Sequence, residues 1–383
     1  MGLSTHLANH LLRSCLKKKN YMSEIVFILG AGASRDCGAP LMNDFLDTAS
    51  RLLSTNEVGN KKEHFERVFR AISSLQSVHS KAQIDLNNIE SIFTALEIAN
   101  VLQKLPGFEP EEIPLTIASL KELIVVTLEN TIKFPTDGSY ILASKSYDSF
   151  TKLIEYIKKD ANPIKDCSII TFNYDIALDV AMYRNGFGPV YGFGPVEKAQ
   201  YPTKLLKLHG SLNWAVRSDT NAVETLTMRE YFSSYRFQGY DGNSYCRLPI
   251  GSQLKEYYKK TNIKVNDEPV IVPPAWNKAD YHHSLSTIWS TSAKELEEAE
   301  YIFIIGYSLP ETDAFFRLLY GLGTVGVKPL KKIIVYNPDE TGIIENRFRD
   351  MMGPGALARF EYRPLTFADS ISDIKSFFPG RRH

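Results

Sequence analysis

The stretch FILGAGASRDCGAPL, Phe27 to Leu41, decides how the chain is read. It begins as a strand: the run EIVFIL (24–29) is continuously apolar after its first residue, the pattern of a strand covered on both faces. Two glycines, Gly30 and Gly32, follow at once. They permit a sharp reversal and close backbone approach, and the N–H groups of a turn starting there suit a diphosphate. The usual dinucleotide fingerprint has a third glycine where this chain has Arg35, and no ribose-binding acid follows on a second strand nearby. A tight strand-to-helix turn without a ligand therefore stands beside the phosphate-binding turn as a reading of this motif alone.

Five further runs read as strands: CSIITF (167–172), KLLKLH (204–209), PVIVPP (269–274), YIFIIG (301–306) and KIIVYN (332–337). Helical patterns follow several of them, including DIALDVAMYRNG after the second run and ETDAFFRLLYGLG after the fifth. Together they predict an α/β chain with a doubly wound, mainly parallel, Rossmann-like sheet. Between the first and second runs lie helical patterns such as EHFERVFRAISSLQSV and LTIASLKELIVVTLENTI, which predict a helical insertion over about 45–160. A segment rich in Tyr, Ser, Asn and Gly at about 215–268 reads as a second, loop-rich insertion. Residues 1–22 read as an amphipathic helix ending in Lys17-Lys18-Lys19, the wrong charge order for a secretory signal, and residues 23–383 as the domain itself.

Lys plus Arg number 44, as do Asp plus Glu, so charge gives no reason to expect direct nucleic-acid or anionic-membrane binding. Cys15, Cys37, Cys167 and Cys246 form no CxxC pair, which argues against a zinc ribbon and a disulfide framework and makes a reducing cytoplasm the simplest home. No run approaches the length of a membrane span.

Small or hydrogen-bonding residues stand at the downstream ends of five runs. These are Gly30-Ala31-Gly32-Ala33-Ser34, Asn173-Tyr174-Asp175, His209-Gly210-Ser211, Gly306-Tyr307-Ser308 and Asn337-Pro338-Asp339. Ligands of an open parallel sheet lie outside the carboxyl ends of its strands, so these clusters are expected to share one crevice. Several have structural alternatives. Asn173 and Asp175 stand where DIALDVAMY begins and suit helix capping. Ser308 and Glu311 fit a capping box for ETDAFFRLLY. His209 suits a strand-end hydrogen bond as well as proton transfer. Trp214 in LHGSLNW reads as a packing residue, and adjacent His282 and His283 suit no standard metal site.

Taken in order, GAGAS, TFNYD, LHGSLNW, IIGYSLPETD and VYNPD resemble the sirtuin fold, in the branch of sirtuin-like domains of prokaryotic defence proteins. The likeness spans roughly residues 24 to 345. It implies that Gly30, Ala31, Gly32, Ala33 and Ser34 hold the diphosphate of NAD, and that Asn173 and Asp175 match the Asn-x-Asp element beside the nicotinamide ribose. It further implies that His209 is the catalytic histidine, that Gly306 and Ser308 form the small-residue loop near the adenosine, and that Asn337 contacts the adenosine ribose.

Three departures point away from protein deacylation. Sirtuin deacylases carry a zinc ribbon of paired cysteines, which this chain lacks, so no metal is expected; Phe172 stands where a Gln precedes the Asn; and Pro40-Leu41-Met42-Asn43-Asp44-Phe45 replaces a Pro-x-Phe-Arg element. The resemblance thus implies an NAD hydrolase, with NAD as substrate, that releases nicotinamide and ADP-ribose. It further implies a role in antiphage defence by NAD depletion, switched on by homo-oligomer assembly or by a partner such as a HerA-type hexameric ATPase. An NAD or ADP-ribose sensor without turnover and an NAD-dependent deacylase are the alternatives.

Overall fold

The computed structural model describes residues 23–138, 140–193, 201–234, 244–272, 279–310, 313–326 and 328–380. The N-terminal helix expected at 1–22 lies outside them. Among the described residues thirteen strands follow in chain order: β1 (Ile25–Leu29), β2 (Phe134–Asp137), β3 (Tyr140–Ile141), β4 (Cys167–Thr171), β5 (Phe187–Val190), β6 (Tyr201–Lys207), β7 (Gly210–Arg217), β8 (Val223–Thr225), β9 (Tyr245–Cys246), β10 (Val265–Ile271), β11 (Tyr301–Ile305), β12 (Lys332–Tyr336) and β13 (Phe360–Arg363).

Seven of these form one sheet in the order β13-β12-β11-β1-β4-β6-β5, and every pairing in it is parallel. Continuous apolarity has the expected cause: every residue of β1 and β4 is buried, as strands covered on both faces must be. The sheet grows first to one side of β1 and then to the other. With right-handed crossovers, that reversal puts helices on both faces. Phe27 of β1 meets Phe150 of the helix Lys145–Lys159 edge-on at 5.0 Å, and Phe150 meets Phe367 of the helix Phe367–Ser376 at 5.5 Å.

Between β1 and β4 run the helices Phe45–Ser54, Lys62–His79, Ile89–Leu102, Glu112–Thr131 and Lys145–Lys159. Four of them carry an apolar face inward, for example Phe65, Val68, Ala71 and Leu75 of the second, at the spacing of one helical side. The fourth, Glu112–Thr131, is buried along most of its length and serves as the axis of the group. The segment 215–268 holds the end of β7, strands β8 to β10 and the helices Met228–Ser234 and Ile250–Lys260.

Two expectations are corrected. The run at 269–274 is not part of the parallel sheet: β10 pairs antiparallel with β7 in a separate sheet, β10-β7-β8, with register shifts on either side of Pro269. Proline has no N–H for a ladder, which suits an irregular edge and not a central strand. Nor does Ser308 cap the helix Ala314–Gly323. That role falls to Asp313, whose side chain accepts the Phe316 N–H at 3.2 Å, while Glu311 lies outside the described residues. The sheet also contains two edge strands that periodicity does not reveal, β5 and β13, because FGPV and FEYR are short and not continuously apolar.

Candidate functional site

The sheet reverses its growth between β1 and β11, the place where open α/β sheets bind ligands. There two glycine turns interlock. The Gly30 N–H donates to Ile305 O at 3.0 Å and the Gly32 N–H to Gly306 O at 2.9 Å. A Cβ on Gly30 would lie 2.6 Å from Gly306 O, and one on Gly306, whose φ is +63°, would lie 2.6 Å from Ala33 N. The glycines are therefore required first by the meeting of two backbones. The Ala33 N–H turns back to Gly30 O at 3.0 Å, so among the described residues Ala31 keeps the first-turn N–H that has no backbone acceptor.

Ser34, fully buried, ties this turn to β4. Its hydroxyl donates to Asp175 Oδ2 at 2.7 Å, receives an N–H from Asn173 Nδ2 at 3.0 Å and lies 2.8 Å from the Tyr147 hydroxyl. Asn173 Nδ2 also donates to Gly30 O at 3.0 Å, so one amide joins two strand ends. The other Asp175 oxygen accepts the Ala177 N–H at 2.9 Å in the turn leading into the helix Ala177–Arg184, whose N-cap is Ile176 without a side-chain cap, so the capping expectation is not met as such. Burial holds the Asp175 carboxyl above the usual carboxylate range, while the Lys207 charge and the Ser34 hydrogen bond pull it back down. Lys207, itself buried, donates to Asp175 O and Ser211 Oγ at 2.7 Å each and pairs with Asp179 at 2.7 Å. A buried cation with these partners fixes the loop after β4 from below.

Above this network opens a cavity of about 1470 Å³. Of the sequence-predicted residues it brings together Ala31, Gly32, Ser34, Asn173, Asp175, Gly306, Ser308 and Asn337 along its wall. Gly30 and Ala33 stand just behind them as backbone support. Asn337 spends its Oδ1 on the Asp339 N–H at 3.1 Å. Exposed Arg35, the residue in place of the third glycine, lines the cavity as well, and so does Arg347 of the helix Ile343–Met351, whose guanidinium reaches Ser308 O at 3.4 Å. Two cations beside a glycine turn suit an anionic ligand. Arg347 carries no strand-end signature in the sequence; its one hint is its place on the helix that follows VYNPD. Leu309, between the cavity-lining Ser308 and Pro310, is fully buried with φ of +50°, a strained conformation for a branched side chain.

His209 is the exception among the predicted residues. It is 1 % exposed and absent from the cavity wall. The next residue, Gly210, at φ +92°, turns the chain directly from β6 into β7, and a Cβ there would lie 2.0 Å from Val270 O. The imidazole sits 5.3 Å from the Phe172 ring, edge to face, and 6.1 Å from Tyr174. Phe172 in turn stacks flat on Tyr307, with ring centroids 4.3 Å apart and planes within 8°. Both rings of this stack line the cavity. Trp214 is fully buried against Tyr191 and Phe193, a packing residue as expected.

Fold and cavity together define a doubly wound α/β protein with a deep, cation-bearing cavity at the switch point of its parallel sheet. No protein-family model matches the chain, and no curated protein matches it. Among solved structures it is similar to a Sir2 homologue in complex with NAD, at 14% identity over 95% of this chain and 93% of that one, with a TM-score of 0.38. It is similar also to a Sir2 homologue mutant with ADP-ribose (13% identity, 94% of each chain, TM-score 0.38) and to a Sir2 protein bound to a propionylated peptide (14% identity, 96% and 98%, TM-score 0.37). Likeness this distant says nothing of activity, which has to be read from this chain's own residues. Among the described residues no group of His, Cys, Asp and Glu is placed to hold a metal ion, and no helix is long and apolar enough to cross a membrane.

Proposed function

We propose that the cavity binds NAD and that the protein hydrolyses its nicotinamide–ribose bond. The observation that carries this reading is the joining of the β1, β4 and β11 ends by Asn173, Ser34 and the two glycine turns beneath a cavity with Arg35 and Arg347 on its wall. In this reading the Ala31 N–H and the two guanidinium groups meet the diphosphate, and Ser308 and Asn337 stand on the adenosine side. Asn173 has both amide N–H bonds committed, to Gly30 and Ser34, so its carbonyl oxygen is the group that receives a hydrogen bond from a ribose hydroxyl or the attacking water.

In the reaction the C1′–N bond breaks, its electron pair neutralises the pyridinium nitrogen, and a water oxygen bonds to C1′ as the water gives up a proton. Asp175 keeps Ser34 and hence Asn173 in place. His209 is the proton acceptor, and because it is buried and absent from the cavity wall, a local rearrangement has to bring it to the ligand. A proton acceptor buried away from the cavity wall fits low basal activity and a switch by self-assembly or by a partner. Co-purification tests a HerA-type hexameric ATPase as that partner, and survival of infected cells tests antiphage defence as the setting.

The test is to incubate purified protein with NAD, with and without an acylated peptide, and to follow nicotinamide. Peptide-independent release is expected. Release only with peptide would make the protein a deacylase, and binding without release would make it a sensor.

A further inference from the structure

The helix Ala314–Gly323 buries one side, with Phe316, Leu319 and Tyr320 in the core, and turns the other to solvent. Leu318 and Leu322 stand one turn apart on that outer side, and Val325 follows just past the helix end. Leu322 is 77% exposed and Val325 78%, more than any other large apolar residue among the described residues. A contiguous apolar stripe of this kind marks a surface that something covers.

The chain enters the domain beside this stripe. The Ser23 N–H donates to Glu295 Oε2 at 3.1 Å, near the end of the helix Ala279–Glu297. The next two residues of that helix meet the end of the stripe: a Cβ on Gly323 would lie 3.2 Å from Leu296 Cβ, and one on Gly326 2.5 Å from Glu297 O. Residues 1–22, outside the described residues, precede Ser23. Their sequence sets Leu3, Leu7, Leu11, Leu12, Cys15 and Leu16 at the spacing of one helical face and follows them with Lys17-Lys18-Lys19. Glu297, exposed beside Gly326, offers the opposite charge.

We propose that residues 3–16 fold as a helix whose leucine face covers Leu318, Leu322 and Val325 of the same chain, with the lysines beside Glu297. Reach selects this occupant. Residues 17–22 link the helix to Ser23 and span about 20 Å at full extension. So short a tether gives the segment an effective concentration in the millimolar range, which a second copy does not match at ordinary protein concentrations. A helix as short as 3–16 is marginal alone in water, so segment and stripe each supply the apolar partner that the other lacks. The assignment is independent of what the cavity binds.

Hydrogen exchange on the full chain tests it. Amides of residues 7–16 should exchange at least about tenfold more slowly than in an unstructured chain, and the double variant Leu318→Ser/Leu322→Ser should remove that protection while β1 and β11 exchange as in wild type. In parallel, a short bis-maleimide should join the thiol introduced by Leu318→Cys, Leu322→Cys or Val325→Cys to Cys15 within one chain. Residues 7–16 unprotected in wild type, or equally protected in the double variant, overturn the proposal. A link found only between two chains overturns it as well and makes a second copy the occupant. Should the double variant also lose protection in the strands, the crosslink decides: a link to Cys15 within the chain supports the proposal, and no link at any of the three positions overturns it.

Discussion

Replacing Ser34 by Ala removes one oxygen and disturbs three partners. The Asp175 carboxylate loses a hydrogen bond of 2.7 Å, the Tyr147 hydroxyl, 1 % exposed, loses a neighbour at 2.8 Å, and Asn173 loses one of its two acceptors. A hydrogen bond to a charged group contributes about 1.5–3 kcal/mol, and a buried polar group left unpaired costs about 1–3 kcal/mol. The groups are in contact, so the terms do not add; a loss of about 3 kcal/mol is expected, read by urea denaturation. The double variant Ser34→Ala/Tyr147→Phe isolates the cause. Without the phenol hydroxyl there is no orphan on that side, and the pair should cost about 1 kcal/mol less than the sum of the single changes. Nicotinamide release should fall in Ser34→Ala, because Asn173 is then held by Gly30 O alone among these contacts. A Ser34→Ala protein as stable as wild type, or strict additivity with Tyr147→Phe, would refute the idea that Ser34 is the hub of the site.

Three other outcomes follow from the same geometry. Gly306→Ala forces a Cβ to within 2.6 Å of Ala33 N at a φ of +63°, so it should cost about 2 kcal/mol or more and weaken ADP-ribose binding; wild-type stability and affinity in the variant would show that the two turns do not need to touch. Arg35→Ala and Arg347→Ala should each weaken ADP-ribose binding about tenfold and lessen its salt dependence, while binding of adenosine alone stays unchanged; equal losses for both ligands would remove the diphosphate assignment. Glu129, in the helix Glu112–Thr131, is pushed by burial from 4.5 to about 7 although the N–H and hydroxyl of Ser252 hydrogen-bond to it. The native state then binds more protons than the unfolded chain between pH 4.5 and about 7, so stability falls as pH rises through that window and stays lower above it, by about 3 kcal/mol. Glu129→Gln should remove that slope, gaining on wild type at pH 8 and not at pH 4; parallel stability profiles would contradict it.

Much of the fold can be read from the chain because buried parallel strands are continuously apolar: the runs containing β1, β4, β6, β11 and β12 stand out without any partner information. Edge strands are not so marked. β5 and β13 have one neighbour each and tolerate Gly, Pro and charge, and PVIVPP shows the converse, an apolar run whose Pro269 excludes it from a central place. In the site, the strand-end residues of β1, β4, β11 and β12 are legible as a group because topology alone collects strand ends. What binds them to one another is not. Tyr147 reaches Ser34 from 113 residues away and Arg347 reaches Ser308 from 39 residues away, and neither carries a local pattern. His209, next to the Gly210 turn that joins β6 to β7, is buried beside Phe172 and absent from the cavity wall, which its strand-end position in the sequence does not foretell.

The reading of the cavity as a site where NAD is cleaved comes down to one time course: nicotinamide released from NAD by purified protein, compared between wild type and Asn173→Ala, with both shown to be folded. Release by wild type, without peptide, and its loss by at least about a hundredfold in Asn173→Ala are expected from an amide that positions the reacting ribose or water. Equal release by the two proteins, or none by wild type under any state of assembly, would contradict it.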